Sequence, residues 1–99
     1  MSVEFKNLSL HDSILKEIEY AWSSKELIIT GELFGAAKQS FKIFFNGVTN
    51  ICIPHKEKWG PSTSINELSG ASGVYSINMQ SGDAITIEAS NFSYALKNT

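Results

Sequence analysis

In "FKIFF", residues 41–45, the side chains of Phe41, Ile43 and Phe45 alternate with Lys42 and Phe44. A repeat of two belongs to a pleated strand, whose successive side chains point to opposite faces, and not to a helix, which repeats every 3.6 residues. The same repeat returns along the chain. In "AITIEA", residues 84–89, Ile85 and Ile87 alternate with Thr86 and Glu88, and in "VYSINMQ", residues 74–80, Tyr75, Ile77 and Met79 alternate with Ser76, Asn78 and Gln80. The "SGD" between these two segments is a glycine turn, so they read as a hairpin. "ELIITGEL", residues 26–33, is β-branched and places Leu27, Ile29 and Leu33 opposite Glu26, Thr30 and Glu32. Its Ile28 breaks the alternation, which implies partial cover on both faces. Segments 40–48 and 50–54, parted by the "NGV" turn and closed by Pro54, complete the strands with a readable repeat.

"SILKEIEYAW", residues 13–22, satisfies two templates at once. Helical spacing groups Ile14, Leu15, Ile18 and Trp22, whereas strand spacing groups Ile14, Ile18, Tyr20 and Trp22 against Glu17 and Glu19. The strand is the better reading, because "SSK" leads at once into a strongly β segment without the glycine stop that commonly ends a helix. Six or seven short strands joined mostly by hairpins imply an all-β, mainly antiparallel protein with little helix, a small meander folded into a sandwich or an incomplete barrel. Phe34, Phe41, Phe44, Phe45, Tyr75 and Phe92 are expected to supply most of its core. Pro61 and the glycines at 60, 70 and 73 mark a long connection. The 99 residues suit a single domain.

Composition bounds the function. Eight cations against ten carboxylates give a net charge of −2, and none of the eight is Arg, the residue best suited to bidentate phosphate and base-edge contacts. A direct nucleic-acid partner is therefore disfavoured. No apolar run approaches the roughly 20 residues of a membrane span, and no basic segment followed by an apolar core reads as a secretory signal. A cytoplasmic location is the expectation, in keeping with a single cysteine, Cys52.

No catalytic set stands out. "HDS", residues 11–13, holds the residue types of a hydrolase triad, but on an extended chain His11 and Ser13 share a face that Asp12 does not. A turn in which Asp12 or Ser13 bonds nearby backbone accounts for the same letters. Cys52, between Ile51 and Ile53, is expected to be a buried small hydrophobe and not a nucleophile served by His55. The two histidines lie 44 positions apart, without metal-ligand spacing, and no glycine-rich loop precedes a helix. The expectation is a non-enzyme with no cofactor and no metal.

Four short motifs, taken in order, span most of the chain: "LHDS" before the first strand, "FFNGV" at 44–48, "WGPSTSINEL" at 59–68 and "MQSGDAITIEA" at 79–89. Together they resemble a family of small bacterial β-rich immunity proteins, encoded beside polymorphic or contact-dependent inhibition toxins. The resemblance implies a toxin-neutralising binder whose partner is a cognate toxin domain, and it carries no catalytic residues. An acidic, Arg-free domain suits a cationic target such as a nuclease domain, since complementary charge speeds association. The candidate contacts are Glu57, Trp59 and Glu67 around the loop, and Glu17 and Glu19 on the first strand. Trp59 is either a cover over an open end of the sheet or an interface anchor. The competing function is a small-molecule module with a barrel mouth lined by Trp22, Trp59 and Tyr75.

Overall fold

The computed structural model describes residues 4–35 and 39–98. A 3-10 turn, Phe5–Asn7, is followed by eight strands: β1 Ile14–Ala21, β2 Glu26–Glu32, β3 Gln39–Asn46, β4 Asn50–Cys52, β5 Ile65–Ala71, β6 Val74–Met79, β7 Ala84–Glu88 and β8 Asn91–Asn98. They form two four-stranded antiparallel sheets, ordered β1-β2-β3-β8 and β4-β7-β6-β5. Each is built on a three-strand meander, and the chain crosses between sheets twice, from β3 to β4 and back from β7 to β8. The fold is all-β, as the alternation implies. No described helix is long and apolar enough to cross a membrane.

The inner faces carry the alternating residues. Leu27 and Ile29 of β2 and Phe41, Ile43 and Phe45 of β3 meet Tyr75, Ile77 and Met79 of β6 and Ile85 and Ile87 of β7 in one buried cluster. Phe34 and Phe44 depart from the expected core. Phe34 is 74% exposed beyond β2, and Phe44 lies on the outer face, directly across from Ile28. That cross-strand pair is why Ile28 breaks the alternation: each partly covers the other on the solvent side. Phe5 takes the place left in the core. Its ring centroid lies 5.1 Å from Tyr75, 5.3 Å from Phe92 and 5.8 Å from Phe45, so the 3-10 turn seals the gap between the two sheets.

Segment 13–22 is a strand, and its double reading has a physical cause. The pairing with β2 shifts between Leu15 and Glu17, so Lys16 is an extra residue that bends the strand. Leu15 and Ile18, three apart, consequently both pack against the core, while Ile14 is exposed. The expected inward place of Ile14 belongs to Leu15. A matching shift between Ile65 and Glu67 in β5 puts Ile65 and Leu68 into the core at the same spacing. That irregularity, with the adjoining glycines, makes β5 look like part of a long connection.

Candidate functional site

Asp83 organises the loop that carries Glu57 and Trp59. Its carboxylate accepts the Lys56 N–H at 2.8 Å, the Glu57 N–H at 3.0 Å and the Ser81 hydroxyl at 2.8 Å. The Lys56 N–H does most to hold the Asp83 carboxyl below the usual range; burial opposes it, and the Ser81 hydroxyl and Glu57 N–H add to it. The Trp59 N–H donates to the Ser81 carbonyl at 3.0 Å. Gly82, at φ +94, lets the indole lie flat on the β6–β7 turn, since a Cβ there would stand 2.9 Å from the ring. Trp59 is 75% exposed. It rests on a turn and does not cover an open end of the core. The Glu57 carboxylate lies 3.6 Å from the His55 imidazole.

Glu17 and Glu19 sit two residues apart on β1, with Thr30 and Ile28 as their opposite numbers on β2, and both are exposed. The side-chain hydrogen bond with Glu19, then its charge, raises the Glu17 pKa, against a lowering effect of Lys42. At the end of the same strand Tyr20 and Trp22 meet edge to face, with centroids 6.3 Å apart at 89°. Trp22 is 84% exposed. Glu67 lies elsewhere, on β5, in an open cleft of about 350 Å³ lined also by Lys6, His11 and Asn66.

A second, more apolar cleft of about 200 Å³ separates β1 from the chain leaving β4. Its apolar lining includes Leu15, Ile18, Ile53, Met79 and Ile85, and its polar lining Lys16, His55, Ser62, Thr63 and Asp83. β1 thus forms one wall, and residues 53–55, just before the Glu57–Trp59 loop, lie on the other. The alternation marks Met79 and Ile85 as inward residues, but which strand edges face one another depends on two sheet crossings that have no local signal. The expected aromatic mouth does not form: Tyr75 is buried among Phe5, Phe45 and Phe92, and neither Trp22 nor Trp59 lines either of these clefts.

Cys52 is exposed, not buried. On the short outer strand β4 it is Ile51, opposite Ile87, that packs inward, so its neighbour turns to solvent. No described hydrogen bond joins Cys52 to His55. Around "HDS" the contacts are structural: the Ser13 hydroxyl accepts the Phe34 N–H at 3.3 Å, the Asp12 carboxylate accepts the Gln80 side-chain amide, and His11 Nδ1–H donates to the Asn66 carbonyl at 2.6 Å. Among the described residues no group of three or more His, Cys, Asp or Glu side chains is arranged to hold a metal ion. No family model, curated protein or solved structure matches the chain.

Proposed function

We propose that this chain is an immunity protein, a non-catalytic partner that binds a cognate cationic bacterial toxin domain, such as a nuclease domain, and neutralises it. The observation that carries this reading is the composition of β1. Two like charges stand side by side on an exposed edge strand, next to an exposed aromatic pair, where neither feature serves the core. The Glu17 pKa is raised first by its side-chain hydrogen bond with Glu19 and then by the Glu19 charge, and a docked cation offsets the charge part. Aromatic residues are favoured interface anchors. The net charge of −2 without Arg and the four motifs with their family resemblance support the same reading.

Glu17 and Glu19, with Glu57 and Glu67 as further acidic contacts, act mainly on the association rate and its salt dependence. Trp59, already exposed, acts on dissociation, and its truncation is expected to cost about 2 kcal/mol of binding if it enters a pocket of the partner. The test is co-expression with the product of the adjacent gene: growth rescue and a 1:1 complex are expected. Absence of both removes the immunity reading.

A further inference from the structure

We propose that residues 17–21 of β1 receive an extended segment of the cationic partner as an added strand. The segment's apolar side chains enter the 200 Å³ cleft, and its alternate basic side chains lie beside Glu17 and Glu19. This rests on the protein-partner reading and gives that partner a local chemistry.

The backbone supplies the lane. β1 is the outer strand of its sheet, and on the side away from β2 residues 63–65 run antiparallel past its beginning only. Leu15 N–H donates to the Thr63 carbonyl at 2.9 Å, Ile65 N–H donates to the Ser13 carbonyl at 2.8 Å, and Ile14 stands opposite Ser64. Past the bulge at Lys16, no described strand pairs with that side. An outer strand presents alternate N–H and C=O groups outward, which is the template for strand addition.

The two faces of β1 select the occupant. A second copy of this chain is disfavoured, because pairing β1 with itself brings Glu17 and Glu19 close to their own kind, and like charges across strands repel. The acidic outer face calls for basic residues. On the inner side the cleft measures about 200 Å³. It falls below the range of about 300–1,000 Å³ typical of small-molecule sites and fits one or two aliphatic side chains. A strand delivers such side chains on one face at every second residue. The complementary segment therefore alternates basic and apolar residues.

The probes are two short end-blocked peptides of identical Lys and Val composition, one alternating and one with Lys and Val in separate blocks. Two further versions of the alternating peptide are N-methylated at every second residue, in opposite phases. Each is titrated into the isotope-labelled full chain, with amide exchange followed by NMR. Expected are saturable protection of amides within residues 17–21 by the alternating peptide and binding of the block peptide at least about tenfold weaker. Because only one side of an added strand pairs with β1, one methylated phase is expected to lose binding and the other to keep it. Glu17→Lys with Glu19→Lys is expected to abolish binding in a folded protein. Equal binding of the two arrangements, or of both methylated phases, overturns the proposal in favour of simple charge attraction. Binding of the toxin domain without any binding of the alternating peptide also overturns strand addition, while sparing the protein-partner reading. Strand addition by the peptide without binding of the toxin domain upholds the lane and removes the immunity function.

Discussion

Phe5 and Phe34 are the same residue in opposite circumstances, and replacing each by Ala tests the packing of the sandwich. Phe5 is 2% exposed and lies 5.1–5.8 Å, ring to ring, from Tyr75, Phe92 and Phe45. Among the described residues, the turn that carries it is closed by two local backbone bonds, Asn7 N–H to Glu4 and Leu8 N–H to Phe5, so its place depends on the ring. Truncating a buried Phe costs about 3–5 kcal/mol, against a total stability of about 5–15 kcal/mol for a domain. At about 4–8 °C per kcal/mol for a domain of this size, Phe5→Ala should lower the Tm by at least about 12 °C. Phe34, 74% exposed, should change stability by no more than about 0.5 kcal/mol, a shift of under about 4 °C. Thermal melts followed by circular dichroism at neutral pH compare the two. Equal shifts, or a Phe5→Ala loss below about 4 °C, would refute the reasoning that the 3-10 turn closes the core.

Trp59→Ala removes a side chain with only about a quarter of its roughly 200 Å² buried, so the stability loss should be about 1 kcal/mol at 25 cal/mol/Å²; a loss like that of Phe5→Ala in the same melt contradicts the stacking on Gly82. Asp83 has a lowered pKa, so its contribution is present above the ordinary Asp value of 3.8 and lost as the pH falls through the folded value. Asp83→Asn should therefore lower the Tm at neutral pH and converge with wild type in acid, and parallel melts across that range check it. Glu17 has the opposite sign: the folded state holds its proton more tightly, so stability falls as the pH rises from 4.5 through the raised value. Glu17→Gln should abolish that fall, with a Tm at neutral pH equal to or slightly above wild type; a lower one contradicts repulsion by Glu19.

Strands were legible wherever the side-chain repeat ran undisturbed, as in β3, β6 and β7, and became obscure wherever an extra residue interrupted it. The bulges at Lys16 and Asn66 turn a spacing of two into one of three, which imitates a helix in β1 and erases the pattern in β5. β8 differs, because Phe92 and Tyr94 do alternate with Ser93 and Ala95 and both pack against the core, so that repeat was available in the sequence. Phe34 and Phe44 show the limit of reading burial from residue type, since facing is decided by pairing register. The acidic pair of β1 follows directly from residues two apart on a strand. The cleft beside it does not, because its walls are brought together by chain crossings between sheets, and the Asp83 carboxylate reads in sequence only as part of a turn.

The role proposed for β1 is that of an acidic docking strand for a cationic toxin domain. Titration calorimetry of the adjacent gene's purified toxin domain against wild type and against Glu17→Lys with Glu19→Lys, at low and high salt, tests it most directly. Expected are a 1:1 complex for wild type that weakens with salt, and at least about tenfold weaker binding by the double variant, in line with the cost of like-charge juxtaposition, with its fold retained. No binding by wild type, or undiminished binding by the folded double variant, would contradict the claim.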